Sequence, residues 1–581
     1  MLNKFIKNTF VLSIIGIVTI SAQNRSYKFN FGAKNDSNIN NYIQIDSKIL
    51  YSAKKKFGLL NKDVTNFSID KKWAEIIPEI ANGVKSSSRI RFKAEVEPGE
   101  YYLEINMNGG NTGDWQGEIS VNDSVIINEL YSFTADPESD EAPNYWSALR
   151  KVKINSNIFD LSIKAKNQNS TLSTLTLIPA NKGKLSLFDG KIIADQSFFA
   201  PNSKLAIELL NRGNVEEALR YIDAIPEVMF GKQKAELLLA VAGRLETENP
   251  VQLISNALRI LKEVKSKHGS ANVDLDIEAA ELYIYADQTY KSGGWDWTKE
   301  FTQTGIFDHI NSAGMVYEEI VQLENHPLQL RAMFELAKVS FWIWVEQHIQ
   351  LQIDDADKYF KIVQKYYPDN KLVKMYLGDR IRSAEYPKWD KQIPKWAYLQ
   401  KKSMVGVLDI IHYWVENRQA DNGEFGGKYD DDVEMLRWWP VSRIVAEDSI
   451  ALRGMHRLVN GVWNSNWIEN GWSRKLRDVE HSSEPVADTQ PMMIGFDYGN
   501  PIYVERCMAT ADKLGLWTGI NKKGHRHFKS SWYSATAIDT TAPKDCDVEM
   551  NTRTIKAVNW LAWYNHHPAA MKFLREWTNS W

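Results

Sequence analysis

The sequence predicts a multidomain α+β protein: an N-terminal antiparallel β-sandwich followed by an all-α region of helical hairpins and an (α/α) toroid. Three observations carry this expectation. The 581 residues exceed what one hydrophobic core organises, so several domains are expected. Apolar and polar residues alternate with period two through residues 24–180. From residue 201 the apolar spacing changes to three and four, the period of an amphipathic helix.

Residues 1–23 read as a signal peptide. Lys4 and Lys7 precede the apolar run Phe10–Ile20, and small residues follow at Ser21-Ala22. The run is shorter than the roughly 20 residues a membrane span needs, and no cysteine lies near the cleavage region to carry a lipid. The expected location is therefore outside the cytoplasm, with no membrane anchor. Within 24–180, the segments Tyr101–Asn106, Gly117–Asn122, Phe159–Lys164 and Ser173–Ile178 alternate cleanly. Pro98-Gly99, Asn108-Gly109-Gly110, Asn122-Asp123 and Asn167–Asn169 supply turn residues between them, the pattern of an antiparallel sandwich. The opening Tyr27–Gly32 and the later Gly113-Asp-Trp-Gln-Gly117 resemble galactose-binding-like sandwiches attached to carbohydrate enzymes.

A connector at 181–202 leads into helical-hairpin repeats over 201–385. Leu205–Leu210, Glu217–Ile222 and Ala235–Ala242 carry helical periodicity, and Ala356–Asn370 ends a helix at Pro368 as tetratricopeptide-type hairpins do. Trp295 and Trp297, between two of these helices, are a candidate sugar-stacking position. Residues 386–581 read as an (α/α) toroid catalytic region. Met404, Leu408, Ile411 and Val415 mark one face of a long helix, and Thr554–Tyr564 and Pro568–Trp577 read as two more. This segment supplies fewer helices than a full toroid. Either the helices before residue 385 complete the ring, or further chain follows.

Composition narrows the function classes. The 70 basic and 73 acidic side chains leave a net charge of −3, which argues against bulk nucleic-acid binding. Cys507 and Cys546 are too few for a disulfide framework or a thiolate zinc site. No HExxH, calcium-loop spacing, GxSxG elbow or phosphate-cradling glycine loop is present, so no metal and no cofactor are expected. The 21 Trp, 24 Tyr and 22 Phe suit a protein that stacks on sugar rings.

Three polar-aromatic clusters are candidates for chemistry. In Asp421–Pro440, Gly423, Gly426 and Gly427 allow close backbone approach, and Asp430, Asp431 and Asp432 stand at a helix start. Asn422, Glu424, Lys428, Tyr429, Arg437, Trp438 and Trp439 crowd the same stretch, with Glu434 placed to pair with Arg437. In Val479–Pro491, His481 reads as part of a proline-punctuated loop rather than a helix face, with Tyr498 and Asn500 beside a following turn. In Asn521–Ser534, His525, Arg526 and Lys529 lie among Lys522, Lys523 and His527, followed by Trp532 and Tyr533. That basic patch suits carboxylate or sulfate groups on a polymer.

The runs Asn422–Trp439, Asp488-Thr-Gln-Pro491 and Tyr498-Gly-Asn-Pro501 resemble large secreted polysaccharide lyases of marine bacteria, of the ulvan lyase type with a helical toroid. The resemblance covers roughly residues 390–581. It implies an acidic, uronate-containing polysaccharide as substrate, with sulfated ulvan first among them, and further chain beyond the helices. Such elimination needs a neutralised carboxylate, a base and an acid. His481 is then the candidate base, and Tyr498 or Tyr533 the candidate proton donor to the leaving oxygen. Arg437 and Asn422 would grip the carboxylate, while His525, Arg526 and Lys529 hold sulfate or neighbouring uronates. Trp438 and Trp439 would stack on sugars. Two other readings stay open. A glycoside hydrolase would use Asp431 with Glu424 or Glu484 as paired carboxylates, and a non-catalytic glycan binder would only capture the polymer. The sequence leaves the oligomeric state open.

Overall fold

A computed structural model of the chain describes residues 26–33, 41–110, 114–130, 132–134, 142–166, 168–180, 185, 187–188, 200–269, 273–292, 306–379, 385–426 and 428–579. The leader, most of the connector, and Trp295 and Trp297 lie outside them. The chain forms two compact units, Met1–Ile381 and Arg382–Trp581.

The first unit opens with the sandwich. Its larger sheet runs Phe133–Thr134, Asn144–Ile154, Gly99–Gly110, Thr174–Pro179, Tyr27–Phe31 and Ile43–Ile45. Five strands form the second sheet: Phe57–Leu59, Ile90–Glu95, Ile158–Ala165, Trp115–Val121 and Ser124–Leu130. A three-stranded sheet adds Ser170–Leu172, Asn82–Ser86 and Thr65–Ser68. Strand alternation sends Leu103, Ile105, Met107, Leu161, Ile163, Leu175 and Leu177 inward against Phe29, Phe31, Phe92 and Trp146. Among the named strands of the described residues, pairing is antiparallel except where Tyr27–Phe31 meets Ile43–Ile45 in parallel; an isolated parallel bridge joins Leu50 to Leu59. Asn122 and Asp123, both at positive φ, turn the hairpin between Trp115–Val121 and Ser124–Leu130. Asn108-Gly109-Gly110 does not turn. The strand Gly99–Gly110 runs through it, and a Cβ on Gly109 would come within 3.0 Å of the Trp146 ring.

Helices Ser203–Asn211, Val215–Asp223, Glu227–Gly243, Pro250–His268, Asp274–Ser292, Ile306–Val321, Gln329–Gln347, Gln350–Tyr366 and Lys371–Tyr376 follow. Sequential neighbours pack together over one apolar core that includes Ala235, Leu238, Ala279, Tyr283, Ala313, Ala337 and Tyr359. Sandwich and helices share a buried ionic seam. Lys151, 2% exposed, meets Asp355 at 2.7 Å and Glu318 at 3.6 Å, and the Tyr102 and Tyr359 hydroxyls donate to Glu318. Burial alone would lower the Lys151 ammonium, but the charges of Glu318 and Asp355 outweigh it and hold it above its ordinary value.

The second unit begins with the long helix Lys395–Asn417, whose Ile411 and Val415 are buried. Lys428–Leu436, Pro440–Ala446, Ser449–Asn464, Val479–Ala487, Gln490–Phe496, Pro501–Asp512, Leu514–Trp517, Asn551–Thr554, Lys556–Asn565 and Pro568–Thr578 complete its helices. Among the described residues three two-stranded ribbons are interleaved: Ile468–Glu469 with Trp472–Ser473, Arg477–Asp478 with Trp532–Tyr533, and Thr518–Ile520 with Arg526–Phe528. The core gathers Trp472, Tyr503, Phe528, Tyr533 and Trp577. Among the described residues no helix is long and apolar enough to cross a membrane.

Candidate active site

The site is built where the ribbon strand Arg477–Asp478 passes directly into the helix Val479–Ala487. Asp478 caps that helix: one carboxylate oxygen accepts the backbone N–H groups of Glu480 at 3.0 Å and His481 at 3.3 Å. Its other oxygen accepts from His481 Nδ1 at 2.7 Å. His481 is therefore on the first turn of a helix, not in a loop as its sequence surroundings suggested. The hydrogen bond that His481 donates to Asp478 pushes the imidazole up to about 9, against burial, which works the other way. With Nδ1 held by Asp478, Nε2 is the nitrogen open to a substrate, and the side chain is 34% exposed.

Arg553, from the short helix Asn551–Thr554, draws two further helices to this point. Its guanidinium lies 3.2 Å from Glu434 of Lys428–Leu436, and 3.7 Å from Glu480 and 3.3 Å from Glu484 of Val479–Ala487. It also binds Asp488, which Lys556 contacts from the start of helix Lys556–Asn565. Glu434 in turn pairs with Arg437 at 3.0 Å, the contact expected from their spacing. Burial alone would raise the Asp488 carboxyl, but the bonds to Arg553 and the Lys556 charge hold it below the usual carboxylate range. Arg553, Glu484 and Asp488 form a closed floor. Glu434, Glu480, His481 and Lys556, each at least a third exposed, form an open rim. The donor atoms of Asp478, Glu480 and His481, and those of Glu434, Glu480 and Glu484, lie within 4.8 Å of one another, so among the described residues these are the ones that could gather round a metal ion. In the second set the Arg553 guanidinium already supplies the positive charge.

The structure thus joins the Asp421–Pro440 stretch to Val479–Pro491 through Arg553, and Val479–Pro491 to Trp532–Tyr533 through the ribbon. Within those stretches several expected roles change. The Tyr533 side chain is fully buried against Trp472 and Phe528, its hydroxyl bonded to Thr554 at 2.6 Å. Burial pushes that hydroxyl far above the ordinary tyrosine value; enclosed and bonded to Thr554, it does not reach a leaving oxygen, and the Tyr533 carbonyl instead accepts from Ser482 and fixes the helix. Trp439, 4% exposed, packs on Phe425 and cannot stack on a sugar, whereas its neighbour Trp438 is 70% exposed. Asn422 and Glu424 bond to each other in a tight loop, and the Asn422 carbonyl accepts from Tyr429; their polar groups hold the loop rather than a carboxylate. Lys428 begins a helix, and its side chain lies outside the described residues.

The basic patch is also largely engaged. Arg526 pairs with Glu576 of the final helix and packs over Phe573, and Lys529 donates to the Leu516 carbonyl at 2.9 Å. His525 is exposed at the ribbon end. Tyr498 projects from a turn and leans on Tyr564 and Trp563, with ring centroids 5.4 and 6.4 Å away, and makes no described contact with His481. Asn500 caps the helix Pro501–Asp512. Sequence reasoning missed Asp478, Arg553 and Lys556. The Asp478-x-x-His481 spacing before a helix was a readable sign of a cap; nothing marked Arg553, whose partners lie 65 to 119 positions away.

No family model matches the chain, and no curated protein matches it. Solved structures that overlap it include a calcium-binding mutant of Bacteroides uniformis beta-glucuronidase 2 (14% identity, 27% of this chain, 18% of that one, TM-score 0.21). A Bacillus subtilis protein overlaps 56% of this chain and 99% of its own at 12% identity and TM-score 0.21. A family 35 carbohydrate binding module from Clostridium thermocellum overlaps 20% and 87% at 12% identity and TM-score 0.15. The chain spans less than a fifth of the glucuronidase, and at these scores none of the overlaps bears on the function of this chain.

Proposed function

We propose that the second unit cleaves an acidic, uronate-containing polysaccharide by β-elimination, with a sulfated ulvan-like polymer as the leading substrate. The order of charged, apolar and small residues over 1–23 supports export to where such polymers occur. The observation that carries the reading is the Asp478–His481 pair, a base with its orienting carboxylate at the exposed edge of a charged cluster. His481 Nε2 takes the proton beside the uronate carboxylate. The electrons of that C–H bond form the new double bond, the C–O bond to the neighbouring sugar breaks, and the leaving oxygen takes a proton back from the imidazolium. One residue then serves as base and acid in turn, and a tyrosine donor is not required. Arg437 and Lys556, each more than a third exposed, are placed to face the substrate carboxylate.

Hydrolysis fits less well. Glu434 and Glu480 have the short separation of a carboxylate pair, but a glycosidic bond would have to lie between them, and the Arg553 guanidinium contacts both. Incubation with acidic and neutral polysaccharides, followed by near-ultraviolet absorbance and product mass, tests the reading. Unsaturated uronate products are expected from acidic polymers, and their loss in His481→Ala. Saturated products, or equal cleavage of neutral glycans, would refute it.

A further inference from the structure

Beyond Lys556, the helix Lys556–Asn565 carries a second feature that the elimination chemistry does not use. Lys556, Trp560 and Trp563 fall on one helix face, because residues three and four apart are neighbours there. Lys556 reaches Asp488; seven residues on, about 10 Å along the axis, Trp563 borders a cleft of about 580 Å³. Phe496, Trp560 and Trp563 supply rings to its walls, and Arg443, Glu447 and Asn559 supply polar groups. A Cβ on Gly495 would come within 2.6 Å of the Trp560 ring, so this glycine lets the indole pack close against the helix Gln490–Phe496. Trp560 and Trp563 meet nearly at right angles, 5.3 Å between centroids, which fixes both rings while Trp563 stays 57% exposed.

We infer that this cleft is a saccharide subsite. It takes one acidic pyranose of the polymer, with the apolar ring face on Trp563, hydroxyls toward Glu447 and Asn559, and the acidic group toward Arg443. The identity of the polymer rests on the elimination reading above. The cleft's own chemistry selects a sugar. An apolar guest would desolvate Arg443, Glu447 and Asn559 without giving them partners. A pyranose offers a C–H face to the indole and hydroxyls to donors and acceptors around it, and a carboxylate or sulfate gives Arg443 a charge-assisted bond. Because one helix carries both Lys556 and Trp563, a polymer lying along it spans the charged centre and the cleft together.

Electrophoresis of the full chain through native gels cast with ulvan, polygalacturonate or alginate, beside a dextran gel, reads the subsite directly. At least one acidic polymer is expected to retard the protein. Trp563→Ala and Arg443→Ala should weaken that retardation about three- to tenfold, the range of one aromatic contact. Trp563→Phe should restore most of the loss at 563. Trp396→Ala removes an indole that is 69% exposed and does not line the cleft, and should migrate as the parent does. Unchanged retardation in both Trp563→Ala and Arg443→Ala overturns the subsite, and so does free migration through every acidic gel. Release of unsaturated product from the same polymers is scored separately. Trp563-dependent retardation without that product keeps the subsite and overturns the elimination.

Discussion

Replacing Arg553 by methionine removes the cation on which the second unit's site is assembled. The side chain is 7% exposed, and two of its carboxylate partners, Glu484 and Asp488, are closed off at 5% and 0%. Methionine keeps the length of the side chain and none of its charge, so buried Glu484 loses its 3.3 Å guanidinium contact and Asp488 keeps Lys556. Breaking a buried pair from one side costs about 3–5 kcal/mol, and the remaining Lys556 contact argues for the lower end, about 3 kcal/mol. For a unit of this length that corresponds to a drop of about 6–12 °C in its melting transition. Arg437→Met, which breaks an exposed pair with Glu434 and an exposed contact with the Trp438 ring, should cost no more than about 1 kcal/mol. The pH dependence gives a second check. Asp488 is held below its ordinary value, so its stabilising contribution is present above the unfolded carboxyl value and is lost as pH falls through the folded one. The gap between parent and Arg553→Met should therefore be widest above pH about 5 and narrow below about 4. Calorimetry across that range is the assay. An Arg553→Met transition within about 1 °C of the parent at neutral pH would refute the reasoning, because no buried charge would then depend on Arg553.

The two adjacent tryptophans give a paired test: Trp439→Ala should cost about 3–5 kcal/mol in denaturant unfolding, while Trp438→Ala, at the surface, should stay within about 0.5 kcal/mol. In the first unit, Lys151→Met strands Glu318 and Asp355 in the seam between sandwich and helices and should cost about 3–5 kcal/mol. Adding Glu318→Gln and Asp355→Asn should recover most of that loss, and no recovery would mean that packing around the lysine stem dominates.

Much of the fold was legible because local chemistry decides it. Strand alternation around Tyr101–Asn106 and the Ile411/Val415 face of the long helix required no distant partner. The Glu434–Arg437 contact followed from helical spacing alone. The site was less legible where tertiary context overrules local preference. Glu480-His-Ser-Ser-Glu-Pro485 lacks apolar periodicity and ends in a helix breaker. Asp478 nonetheless caps it, and the burial of Ser482, Ser483 and Glu484 carries the helix past Pro485, which has no N–H to return to His481. Trp438 and Trp439 are consecutive in the turn between Lys428–Leu436 and Pro440–Ala446, and that turn sends one to water and one to the core. Tyr533 and Trp532 alternate across a ribbon, and its register with Arg477–Asp478 determines which of them faces inward.

The pH profile of kcat/KM for unsaturated-product formation tests the central claim most directly. His481, held up to about 9 by Asp478, acts as a base only in its neutral form. The rate should climb about tenfold per pH unit through the neutral range and level off near 9. In Asp478→Asn that inflection should move down toward 6.5, the ordinary histidine value. A rate that is flat or falls across the same range, or an inflection that Asp478→Asn leaves in place, would contradict the assignment of His481 as the base.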